Sequence, residues 1–130
     1  MARAYTVATV AVALDVERKW LDNVLTHYEV FGATRKRQGI SRRLNSEAVL
    51  VLGIALTLTK SVGVPISRGI DLARKLLNGR GLHVTGDGVS VSLDLPAFAQ
   101  LIHDRLAAAV EVAPVPLRGR PSQNKTGRLD

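Results

Sequence analysis

The chain predicts a mainly α fold with small β-hairpins, and three observations carry that prediction. Apolar residues recur at the helical period in five stretches between residues 6 and 110. The stretch from Leu82 to Leu95 instead alternates apolar and polar residues across a Gly86-Asp87-Gly88 turn. A third stretch, Ala33 to Asn45, follows neither period: it carries five of the eighteen Lys and Arg residues around Gly39, and no carboxylate. With 130 residues the chain is long enough for one core and too short for two. Aromatic residues make up only 4% of it, so that core is expected to be built from Val, Leu, Ile and Ala.

Taken in order, the first helix is expected to run from Thr6, a suitable N-cap, to Leu14, with Val7, Val10, Ala11 and Leu14 on one face. Asp15-Val16 breaks that pattern. From Glu17 to about Tyr28 a second helix gathers Trp20, Leu21, Val24 and Leu25 into an apolar stripe and points Arg18, Lys19, Asp22 and Asn23 elsewhere. Two short helices around a tight turn make a helix-turn-helix candidate. Gly32 and Gly39 then supply turns around Thr34-Arg35-Lys36-Arg37-Gln38, the composition of a β-hairpin wing. Asn45 or Ser46 caps the next helix, Glu47 to Lys60, which is apolar nearly all round, as a central helix is. Gly63 ends it, and Pro65 opens a fourth helix with Ile66, Ile70, Ala73 and Leu77 along one face, closed by Gly79 and Gly81. After the alternating hairpin, Pro96 starts a last helix whose inward residues are expected to be Phe98, Leu101, Ile102, Leu106 and Ala109. From residue 114 onward, Pro, Gly, Ser, Asn and four more cations have the composition of a disordered basic tail.

A net charge of +7 makes a polyanion the leading partner class, with nucleic acid ahead of an anionic membrane. The charge is unevenly spread: residues 81 to 117 hold one Arg against Asp87, Asp94, Asp104 and Glu111. The absence of cysteine excludes disulfides, Cys-ligated zinc and thiol catalysis, and fits a reducing cytoplasm. Met1-Ala2-Arg3-Ala4-Tyr5 lacks a long apolar region, so no signal peptide is expected. Ala48 to Leu58 is the most apolar run and is too short to span a bilayer. His27, His83 and His103 have no ligand spacing, so no metal is expected. No phosphate-binding glycine loop, paired buried carboxylates or nucleophile–base arrangement stands out, and neither an enzyme nor a cofactor is expected.

The first 78 residues resemble the DNA-binding half of the MerR family of bacterial transcription regulators. Tyr5 through Val16 is similar to that family's opening stretch, an aromatic residue leading into an Ala-containing helix and a turn, with Asp15 in the place of a glycine. Lys19 stands where the family usually has an arginine on the second helix. Gln38-Gly39-Ile40-Ser41-Arg42-Arg43-Leu44-Asn45-Ser46-Glu47 is similar to its wing-to-helix segment. Leu58 through Ile70, with Gly63-Val64-Pro65-Ile66, resembles its link between the third and fourth helices. The chain departs from the family at Asp22-Asn23-Val24, where an arginine and paired aromatics are usual, and at Ile40 and Leu44, which replace wing tyrosines. A hairpin and a shorter helix also stand where the family has a long coiled-coil helix.

The resemblance implies a winged helix-turn-helix in residues 1–78, and the β-hairpin and C-terminal helix read from the apolar pattern follow it. Residues 79–113 are then an accessory or dimerisation region that a protein partner could also use, and 114–130 the basic tail. It further implies a cytoplasmic, nucleoid-associated protein that binds double-stranded DNA. A homodimer is expected because one winged helix offers limited contact area, and the hairpin's edge and the apolar face of the last helix are the expected pairing surfaces. Duplex DNA carries one negative charge per about 1.7 Å of axis, which suits a surface pointing several cations one way. Arg18 and Lys19 would enter the major groove. Arg35, Lys36, Arg37, Arg42 and Arg43 would straddle phosphates or enter the minor groove. The amino ends of the first two helices would add amide donors. Glu17 fits either a contact to cytosine or a cap on the helix dipole. Trp20, at helical spacing with Leu21 and Val24, reads as core rather than base-stacking. Three functions remain open: a transcription regulator, an architectural or excisionase-type DNA-binding factor, and an antitoxin-like protein-interaction module. For the basic loop, a plain solvated turn is the competing reading.

Overall fold

The computed structural model describes residues 4–34 and 42–112, and these form five helices and four short strands. Strand β1 (Ala4–Thr6) runs straight into helix α1 (Val7–Leu14), which Thr6 caps by accepting from the Thr9 amide at 3.1 Å. The expected face of α1, Val7, Val10, Ala11 and Leu14, is buried. Asp15 ends the helix in the left-handed conformation, and α2 (Arg18–His27) begins three residues later. Leu21, Val24 and Leu25 of α2 are buried, and Trp20 is half-buried against the core.

Strand β2 (Arg43–Asn45) pairs antiparallel with β1, Leu44 lying opposite Tyr5. On its other side Leu44 bridges Ala33. The Thr34 amide donates to the Arg43 carbonyl at 2.8 Å, and the Asn45 amide to the Gly32 carbonyl at 2.9 Å. Gly32–Thr34 and Arg43–Asn45 thus lie paired where the wing is expected to begin and end; residues 35–41, expected to form the rest of it, lie outside those described. Leu44 is fully buried between the two neighbours, and burial of a leucine contributes about 1.5–3 kcal/mol. Gly32, at φ 95°, packs on the Asn45 side chain so closely that a Cβ would collide with it.

Asn45 caps α3 (Ser46–Val62) by accepting from the Ala48 amide at 2.9 Å. As its composition predicts, α3 is central: Val49, Val51, Leu52, Ile54 and Ala55 are almost inaccessible. Gly63 ends it at φ 80°, and α4 (Ile66–Asn78) folds back along it. The crossing is close at Gly69, where a Cβ would stand 3.1 Å from the Ala55 carbonyl oxygen. Leu76, rather than Leu77, completes the buried face of α4.

Strands β3 (Leu82–Val84) and β4 (Ser90–Ser92) form the expected hairpin, and α5 (Leu95–Val112) follows. Helix α5 packs against α1 and α3. Ile102, Leu106 and Ala109 are buried, Phe98 half-buried, and Leu101 exposed. Gly53 of α3 makes room for this helix: a Cβ there would lie 3.0 Å from Ile102 Cδ1 and 3.3 Å from Phe98. Residues of α1 through α5 thus share one core, and residues 79–112 complete it. The apolar face of α5, expected to be available for pairing two chains, is covered from within the chain. No helix among the described residues is long and apolar enough to cross a membrane.

Candidate nucleic-acid interface

The seven cations singled out in the sequence fall into three groups. Arg18 and Lys19 are exposed in the first turn of α2. Glu17 sits at the N-cap without a side-chain hydrogen bond to the helix, so neither carboxylate oxygen serves the first-turn amides. Arg43 is exposed on β2, directly opposite Thr6, the N-cap of α1. That register sets a cation beside the positive end of a second helix, a pairing that favours an anionic ligand. Arg35, Lys36 and Arg37 lie outside the described residues.

Arg42 requires a correction. It was expected to face DNA, yet only 8% of it is exposed. Its Nη1 donates to the Leu25 carbonyl at 2.8 Å, and its Nη2 to the Thr26 hydroxyl at 3.2 Å. Its Nε lies 3.5 Å from Asp22 Oδ1. Leu25 O is one of the last carbonyls of α2, which have no partner inside the helix, so a guanidinium there satisfies an orphan acceptor and complements the dipole. Arg42 thus binds the segment leading into β2 to the carboxyl end of α2. Arg18 lies seven residues up the helix from Leu25, about 10 Å away along the axis.

Ion pairs among the described residues hold Arg42 to Asp22 and Lys75 to Asp71. Arg18, Lys19 and Arg43 have no carboxylate partner among them. The solvent side of α2 continues with Asn23 and Thr26, four and seven residues beyond Lys19 and so on the same face, and with Asp22, three residues beyond it. Asn23 is a donor–acceptor side chain able to pair with an adenine edge. Its spacing from Lys19 was the available sequence signal, although nothing separates such an Asn from ordinary surface polarity. The Thr26 hydroxyl donates to the Asp22 carbonyl at 2.8 Å while accepting from Arg42, which ties it to the helix.

Away from this surface, Phe31, Glu47, Arg74, Leu77 and Asn78 line an open depression of about 190 Å³, with Phe31 66% exposed. Among the described residues no three His, Asp or Glu side chains come together as metal ligands. Comparison of the chain with protein-family models, with curated proteins and with solved structures finds no match.

Proposed function

We propose that this protein binds double-stranded DNA sequence-specifically through a winged helix-turn-helix of MerR-like type, and acts as a bacterial transcription regulator. The observation that carries the reading is the placement of Arg18, Lys19 and Arg43. All three are exposed, free of carboxylate partners among the described residues, and set at the amino ends of α2 and α1. In this reading α1, the Asp15 turn and α2 are the helix-turn-helix. Arg18, Lys19 and Asn23 meet base edges, and Arg43 with Arg35, Lys36 and Arg37 holds phosphates. No catalysis, metal or cofactor is invoked, and a cytoplasmic, nucleoid-associated location goes with it. Two copies on adjacent half-sites would supply the contact area a specific site needs.

A second reading, an architectural or excisionase-type factor, is favoured by one observation. Among the described residues the last helix folds back onto α1 and α3, and its apolar face is spent on that packing. Selection of bound sequences from random duplex DNA at physiological salt separates the two. A palindromic consensus supports the regulator, and tandem or weak A·T-biased sites support the architectural factor.

The DNA reading itself is tested by salt. Duplex affinity should fall steeply, with a log–log slope of about −0.9 per phosphate contact. R35A/K36A/R37A should remove roughly one to three units of that slope. K75A should leave it unchanged, because Lys75 is already paired with Asp71 at 3.2 Å. A slope indifferent to the wing cations rejects the wing assignment. A chain without duplex affinity points to the antitoxin-like module instead.

A further inference from the structure

We propose that Arg42 is the coupling residue of this surface: it fastens the returning wing strand to the carboxyl end of α2 and neutralises Asp22 there, so that wing and helix meet a duplex as one unit. The inference rests on the duplex-binding reading above. Arg42 is the one buried charged side chain among the described residues. A charge is tolerated at such a position only where partners compensate its lost hydration. One guanidinium here engages three α2 residues at once: the Leu25 carbonyl at 2.8 Å, the Thr26 hydroxyl at 3.2 Å and the Asp22 carboxylate at 3.5 Å. The first two are hydrogen bonds from the forked nitrogens. The third lacks hydrogen-bond geometry, leaving Nε unbonded, and acts as a Coulombic contact.

Two consequences follow for the surface. Arg43 is the next residue and turns outward opposite Thr6. Fixing Arg42 to α2 therefore fixes where Arg43, and the strand it opens, stands relative to the helix bearing Arg18 and Lys19. Asp22 is the second. Its side chain is 39% exposed, three residues from Lys19, and an uncompensated carboxylate there would repel phosphate. Arg42 cancels that charge from beneath, without occupying the solvent side. A well-packed apolar residue could match Arg42 in stability without fixing where the strand stands. It could not neutralise Asp22 while gripping two further groups with fixed geometry.

The test measures binding of a random-sequence duplex against salt for the wild-type chain, R42M, R42K and R42M/D22N, with a thermal melt of each. Methionine fills much of the arginine's volume. R42M is expected to bind about ten-fold more weakly, with its slope smaller by more than one contact at about 0.9 each. R42M/D22N should regain several-fold of the affinity, because the exposed carboxylate is gone, but not the slope. R42K, which keeps the charge and loses the fork, should fall between the wild type and R42M. A merely structural arginine would lower the melting temperature without rescue by D22N. Wild-type affinity and slope in a folded R42M overturn the proposal, as does a double variant no tighter than R42M. Should R42M fail to melt cooperatively, R42K decides, and wild-type binding by it overturns the coupling. Absence of duplex binding by the wild-type chain overturns the underlying reading as well, which distinguishes the two failures.

Discussion

Asp15 holds φ 56° and ψ 51° at the end of α1, where its amide closes the helix on the Ala11 and Val12 carbonyls. Glycine suits that conformation because a Cβ is crowded in the left-handed region. Asp15 also adds negative charge at the negative end of the helix dipole. D15G should relieve both costs, while the glycine's extra freedom in the unfolded chain offsets part of the gain. The expected net effect is a stabilisation of about 0.5–1 kcal/mol, seen as a melting temperature a few degrees higher. D15N, which removes the charge alone, should recover only a share. A lower melting temperature for D15G would mean that strain does not govern the turn. At this scale the sequence is readable where the chemistry is local. Thr6 and Asn45 are recognisable as caps because each serves an amide three residues on. Arg42 is not recognisable as an inward residue. Asp22, Leu25 and Thr26 lie 16 to 20 positions away, and a basic run looks alike whichever member turns inward.

Helix stripes are legible for a similar reason: the apolar period is written within each helix, and Val7, Val10, Ala11 and Leu14, or Ile102, Leu106 and Ala109, are buried as it predicts. What a stripe does not record is its partner. The last helix could have met another chain, but Gly53 opens α3 to Ile102 and Phe98, and the same helix covers α1. L106A, at a position 4% exposed, should therefore cost about 2–5 kcal/mol, whereas L101A, 43% exposed, should cost well under 1 kcal/mol. A fragment of residues 1–78 should show no cooperative melt, since α1 loses the helix that covers it. Urea or thermal unfolding of the three chains checks this, and a cooperatively melting fragment would restore a boundary near residue 78. The hairpin shows another limit. Its register pairs Leu82 with Ser92 and Val84 with Ser90, while His83 faces Val91. Paired residues share a face, so the apolar residues on the two sides of the turn cannot all point inward. Leu82 and Val84 emerge 50% and 60% exposed. The three-residue β1 had no signal at all, being too short to show a period.

Across the whole molecule, the exposed cations singled out above and the exposed apolar residues of the hairpin lie on different elements. The cations Arg18 and Lys19 belong to α2 and Arg43 to β2. Exposed Leu82, Val84 and Val89 belong to the hairpin, near Asp87 and Asp94 in the chain. If the protein pairs on half-sites, the hairpin is the better candidate of the two expected surfaces, because the face of α5 is already covered. A two-stranded hairpin keeps an unpaired outer edge, and two copies joined antiparallel across a two-fold axis would make a four-stranded sheet. Strands of three residues give a small contact, short of the roughly 800 Å² per partner of a standard interface, so self-association should be weak and concentration-dependent. Its salt response should oppose that of DNA binding. Salt screens the repulsion between two chains of net charge +7 and favours the pair, whereas it would weaken a cationic surface's hold on DNA. Sedimentation at concentrations on the order of tens of micromolar should show a species near 28 kDa, twice the 14.0 kDa chain, growing as salt is raised. L82S/V84S should return it to the monomer with little change in melting temperature, since both side chains already face solvent. A chain that stays monomeric at those concentrations, with and without duplex DNA, rejects the pairing and leaves the single-copy architectural reading ahead.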